Sequence, residues 1–287
     1  MNTRLNLAKL LLALIVWGSL FGVPSASMSE ITNADDSSLE QIVEQVIAHL
    51  SSEPQFESWR NASWIKHPLG PGTHQWLILL KSPHGKEVGY LVLNAVEDGG
   101  WQVQEYGTGP YPLFHSQAWE EADRYYFHEF ETVWAVPSTN GEIEYIDGVT
   151  NESYPAEWVE KSLLDLSEDM APTYNPDLPL FIDMEQEYTL ISQTTAALFD
   201  PYERMSWLVA EPVALDTIFD ADHQYVYVSN IFDQNIHIPW AVTGHHKWKD
   251  DHKTNQTYTF LQIEMDDITR FIPAPTFQQY GEFYPVL

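Results

Sequence analysis

No cysteine occurs in the 287 residues. That absence excludes disulfides, cysteine-ligated zinc, iron–sulfur clusters and a thiolate nucleophile. Positive charge is the second scarcity: 13 Lys and Arg stand against 42 Asp and Glu, a formal charge of −29. Binding nucleic acid takes a basic stripe that displaces phosphate counterions, and this chain cannot build one. Docking on anionic lipid is disfavoured for the same reason. Catalytic signatures are also missing: there is no Gly-x-Ser-x-Gly elbow and no His-Glu-x-x-His pair. Neither a repeat of solenoid or propeller period nor a low-complexity segment is present.

Apolar and aromatic residues are plentiful, at 44% and 14%. A chain of this length and composition can bury a core that offsets its ordering entropy, which argues against disorder. Arg4 and Lys9, the apolar run Leu10 to Val23 and the small residues Ser25, Ala26 and Ser27 form the three-part pattern of a secretory signal peptide over residues 1–27. The run is shorter than the about 20 residues that a membrane-spanning helix needs. The expectation is a secreted, extracellular protein with no membrane segment beyond that leader. Such a protein, lacking disulfides, must hold together by its core.

Residues 28–38 read as a polar lead-in. Leu39, Ile42, Val43, Val46, Ile47 and Leu50 then fall on one stripe of an α-helix, with Asp36, Ser37 or Ser38 placed to cap it. Strands are expected over His74 to Lys81, Glu87 to Val96 and Trp101 to Tyr106, separated by turn residues. In the third, Trp101, Val103 and Glu105 should share one face. A hairpin joins Thr132–Val136 to Glu142–Ile146, and a short helix follows over Glu157 to Leu166. Further strands are expected at Tyr188–Gln193, Gln224–Ile231, Ile236–Thr243, Tyr258–Met265 and Ile268–Ile272. The fold class is α+β: an N-terminal helix packed on an antiparallel β-meander, followed by a strand-rich mixed C-terminal part. Its divisions are residues 28–155, a linker at 156–174 and a C-terminal domain at 175–287.

The stretch from Tyr145, YIDGVTNESYP, resembles the closing strand and turn of PepSY-type domains, with Asn151 standing where glycine is usual. That resemblance implies a small α+β unit of an exported protein that restrains or binds a partner, such as a peptidase. Residues 89–114, GYLVLNAVEDGGWQVQEYGTGPYPLF, look like exported proteins of Bacillus-like bacteria, which implies a compartment and no activity.

Two constellations could carry chemistry. His245, His246, Asp250 and His252 crowd one stretch and suit a divalent metal, although Lys247, Lys249 and Lys253 would repel it. Adjacent histidines on an extended chain point to opposite sides, so a solvated loop between two strands is the plainer expectation. The run His237-Ile-Pro-Trp-Ala-Val-Thr-Gly244 resembles the histidine strand of papain-like peptidases, with Asp266 beyond a further strand and Ser192 at the nucleophile position. Without a cysteine, the resemblance implies a decayed domain. The carboxylate pairs Glu120-Glu121, Asp250-Asp251 and Asp266-Asp267 are abundant enough to arise by chance, and Asp216 to Asp222 lacks the glycine and glutamate of a calcium loop. No cofactor is expected. The function read from the sequence is a secreted, non-enzymatic interaction module, the alternative being a hydrolase or metal-dependent enzyme using His237, His245, His246 or Asp266.

Overall fold

A computed structural model describes residues 32–70, 73–96, 100–115, 119, 122–166, 174–181, 188–219, 223–252 and 256–287. The leader expected at 1–27, the pair Glu120-Glu121, Asp222 and Lys253 lie outside these residues. In chain order the elements are α1 (Thr32–Leu50), β1 (Ser63–Pro68), β2 (Gln75–Lys81), β3 (Glu87–Ala95), β4 (Trp101–Thr108), β5 (Asp123–His128), β6 (Glu131–Pro137), β7 (Ile143–Asp147), β8 (Ser153–Tyr154) and α2 (Ala156–Leu166). There follow β9 (Leu180–Phe181), β10 (Tyr188–Thr195), β11 (Tyr225–Ile231), β12 (Ile236–Asp250), β13 (Thr257–Met265), β14 (Ile268–Pro273), α3 (Ala274–Tyr280) and β15 (Gly281–Pro285). The molecule is thus strand-rich with few helices, and every strand pair among the described residues is antiparallel.

Leu77, Ile78, Leu79 and Leu80 of β2 are consecutive and all buried. Alternate side chains of a strand point to opposite faces, so β2 has apolar neighbours on both. Ile78 and Leu80 share a buried cluster with Leu91, Leu93, Phe260, Phe271 and the α1 residues Leu39, Ile42, Val43, Val46 and Leu50. Leu77 and Leu79 belong instead to a cluster with Tyr126, Trp134 and Ile146 of a second sheet. That sheet has the order β5-β6-β7-β8.

The larger sheet runs β1-β2-β3-β4-β14-β13-β12-β11-β15, with β10 added to β12 and β9 to β4. The division drawn at 156–174 therefore does not divide the sheet. Strand β4, from the first part, pairs with β14, from the second, through Tyr106↔Phe271, Arg270↔Gly107 and Thr269↔Thr108. Residues 156–166 are also more than a linker: α2 puts Val159, fully buried, into a cluster with Tyr154, Ile231 and Phe232.

Three local expectations are corrected. First, α1 starts at Thr32 and runs through Asp36, Ser37 and Ser38, so these residues are helical rather than its cap. Ser38 Oγ instead accepts the Trp101 indole N–H at 3.2 Å. Second, the alternation of β4 breaks at Gln104, because Val103 pairs with Leu93 while Glu105 pairs with Val92. The extra residue makes a bulge, which puts Tyr106 with Trp101 and Val103 in the α1 cluster and turns Glu105 to the other side. Third, residues 244–250 are not a loop. They form the second half of β12, a strand of 15 residues.

Candidate functional site

Two buried arrangements fix the frame around the site. Glu105, from β4, and Arg270, from β14, face each other across the seam, with Arg270 Nη2 donating to Glu105 Oε2 at 2.7 Å. The hydroxyls of Tyr90 (2.5 Å) and Tyr126 (2.9 Å) also donate to this carboxylate. Glu105 is 0% exposed and Arg270 1%. Burial is the largest single influence and lowers the guanidinium's pKa, but Glu105, Tyr90 and Tyr126 together outweigh it and hold the pKa above its ordinary value. Tyr126 belongs to β5, so this one cluster ties both parts of the large sheet to the small one. All four side chains are buried.

The second arrangement surrounds His246. Its two ring nitrogens meet the Tyr106 hydroxyl (2.9 Å) and the Gln55 side-chain amide (2.7 Å). The ring stacks on Phe271 at 4.2 Å. Burial, followed by the neighbouring His245 charge, pushes its pKa down to about 3, so the ring is neutral at physiological pH. His246 is a core residue.

The metal-site candidates are separated by the strand that carries them. His246, Trp248 and Asp250 are on the buried side of β12, while His245 turns the other way to Thr194 Oγ1 (2.9 Å) and Ser192 Oγ (3.5 Å). His252 is exposed, and its amide donates to Asp250 Oδ1 at 2.9 Å. Among the described residues, no three His, Asp or Glu side chains are grouped as a metal centre. The papain-like arrangement is likewise not assembled. Ser192, on β10, faces His245, whereas His237 Nδ1 faces Asn230 Oδ1 at 2.6 Å.

His237 and Asp266 do come together, in the wall of an open cleft of about 870 Å³. Five segments build it: Tyr111 and His115 after β4, Val149 to Glu152 between β7 and β8, Leu198 to Tyr202 after β10, His237 and Ile238 at the start of β12, and Met265 to Ile268 at the β13–β14 turn. The turns are held by local bonds and left-handed residues. Asp147 Oδ1 accepts the amides of Val149 (2.9 Å) and Thr150, Asn151 has φ 62° and Asp266 has φ 52°. Asn and Asp tolerate that conformation better than most residues, which suits Asn151 and Asp266 to these turns.

The chemistry of the lining is specific. Tyr111 and Tyr202 are 47% and 51% exposed, so both rings are open to a bound group. The Tyr111 ring meets the His115 edge at 5.1 Å, and His115 Nδ1 is paired with Glu87. Glu152, Asp200, Asp266 and Asp267 contribute four carboxylates, and among the described residues no Lys or Arg lines the cleft. The Tyr202 phenol is held above its usual pKa by partial burial and by the charges of Glu152, Asp266 and Asp200. Such a wall attracts cations and can stack them on aromatic faces.

Sequence reasoning picked out His237 and Asp266 but not Tyr111, His115 or Tyr202, which sit in turns without a chemical motif. Compared with protein-family models, curated proteins and solved structures, the chain matches none.

Proposed function

We propose that this chain is an exported, non-enzymatic binding module of the cell envelope or medium, which holds a basic segment of a partner protein in the cleft. The observation that carries the reading is the lining: two half-exposed tyrosines and four carboxylates, with no Lys or Arg among the described residues. A Lys or Arg side chain placed there gains carboxylate partners and an aromatic face together. The separation of Ser192 from His237 and Asp266 supports a binding role over a hydrolytic one. In the same reading, α1 packs on the β1–β4 meander as a fixed cover. The PepSY-type resemblance of residues 145–155, which lie in β7 and β8 of the small sheet, makes a restrained peptidase a fitting partner.

The test is binding of fluorescent basic and acidic peptides to the purified chain over a range of salt. Basic peptides should bind, more weakly as salt rises, and Tyr202→Ala combined with Asp266→Asn should weaken binding at least about tenfold, the worth of one lost charged contact. Equal binding of acidic peptides, or indifference to both substitutions, would overturn the proposal.

A further inference from the structure

Strand β10 supplies the second half of a binding surface. Its inner edge pairs with β12 from Tyr188↔Asp250 to Thr195↔Gly244. The approach is close: a Cβ on Gly244 would lie 2.0 Å from the Thr194 carbonyl oxygen. On the outer edge, no strand is paired among the described residues. An open edge presents a row of backbone donors and acceptors that a further strand can satisfy. Natural edges are usually blunted by Lys, Pro, an inward charge or a bulge, and β10 carries one such device, a bulge at Ile191. Here the run from Tyr188 to Phe199 contains no charged residue and no proline, in a chain carrying 55 acidic and basic side chains. Residues 191–198 are exposed without a break, Ile191 at 48%.

We propose that β10 is a β-augmentation site, which takes an extended segment of the same partner whose basic end occupies the cleft. The inference rests on the cleft reading for its occupant. Two observations select that occupant. Leu198, three residues beyond the end of β10, is itself part of the cleft wall, so the edge and the cleft are continuous. A second copy of this chain would bring another −29 charges to the contact, whereas a basic segment is drawn to it. Backbone pairing supplies the affinity, and the cleft supplies the choice of end. Because β10 runs towards the cleft, an antiparallel segment would place its N-terminal end there.

The experiment uses the full chain and synthetic peptides of alternating Thr and Val with Lys-Arg at the N-terminus. One is unmodified, and one is N-methylated on alternate amides so that it keeps every side chain and charge but cannot pair along that edge. Titrations are run on the parent, on Ile191→Lys with Thr195→Lys, and on Asp266→Asn with Asp267→Asn. Thermal melts confirm that the exposed substitutions leave the fold intact. The unmodified peptide should bind the parent, while N-methylation and the edge substitutions should each weaken it at least about tenfold, the worth of a lost hydrogen bond or two. If the cleft substitutions weaken binding but N-methylation and the edge substitutions do not, β-augmentation is wrong and the cleft reading stands. If no peptide binds, both are wrong. Self-association that the edge substitutions abolish would identify a second copy as the occupant and overturn the proposed partner.

Discussion

Replacing Arg270 by Met keeps much of the side chain's apolar length and removes the charge that faces Glu105, together with the hydrogen bonds to the Tyr90 hydroxyl and the Glu129 carbonyl. The carboxylate would keep the Tyr90 and Tyr126 hydroxyls at 2.5 and 2.9 Å but lose the guanidinium at 2.7 Å. A carboxylate left buried and uncompensated typically costs about 3–5 kcal/mol. The loss at pH 7 should therefore be near 4 kcal/mol, or roughly 8–16 °C in Tm for a chain of this size. In Glu105→Gln with Arg270→Met no charge is stranded, and an amide oxygen can still accept from the tyrosines. The double variant should be at least about 2 kcal/mol more stable than Arg270→Met at pH 7. Urea unfolding followed by the fluorescence of the 11 tryptophans measures all three. A single variant within about 1 kcal/mol of the parent, or a double variant no more stable than the single one, would refute this account of the seam.

Three further predictions use the same unfolding assay. His246 is held at a pKa of about 3 against an ordinary 6.5, so on acidification the unfolded chain takes up the proton first. Stability should then fall below pH 6.5 by up to about 1.4 kcal/mol per unit, and His246→Gln should flatten that slope. Glu129, whose pKa burial raises, acts in the opposite sense in both proteins, so the difference isolates the histidine; parallel slopes would refute the assignment. At the β11–β12 turn, Phe232, Asp233 and Gln234 have φ of 48°, 55° and 68° in succession. Gln234→Gly should relieve one left-handed residue and stabilise by up to about 1 kcal/mol; a lower urea midpoint would contradict it. On Gly107 a Cβ would meet Tyr90 Cε1 at 2.2 Å and the Thr269 carbonyl at 2.7 Å. Gly107→Ala should cost about 2 kcal/mol or more by forcing the β4–β14 seam apart, and a neutral result would mean that the seam yields easily.

Local pattern carried much of the architecture. The stripe Leu39 to Leu50 announces α1, and the apolar runs bounded by turn residues announce β2, β3, β6, β7, β11, β13 and β14. Strand β1 escaped because its residues are mostly half-exposed or exposed, and β5 because its aromatic run carries no turn signal of its own. The second half of β12 misled for an instructive reason. HHKWKD looks like a charged loop by composition, yet His246, Trp248 and Asp250 alternate inward with His245, Lys247 and Lys249 on the other side. Period two was present, and the polar residues on the buried side hid it. The bulge at Gln104 is of the same kind, since one inserted residue reverses a face that strict alternation assigns.

The cleft was legible only in fragments, because its wall is gathered from five turns that are far apart in the chain. Turn residues are selected for backbone conformation, as Asn151 and Asp266 show, and such positions look alike whether or not they face a ligand. The joining of the two parts had a stronger signal that went unread. Arg270 is a single cation inside the apolar run Ile268 to Pro273, and Glu105 a single acid inside Trp101 to Tyr106. A charge at the centre of a buried strand is tolerated only with a partner, so each segment requires an opposite charge from elsewhere. With 13 basic residues in the whole chain, few cations are available to answer a buried glutamate. A lone arginine in a strand pattern was thus the clearest evidence in the sequence that the second part completes the sheet of the first.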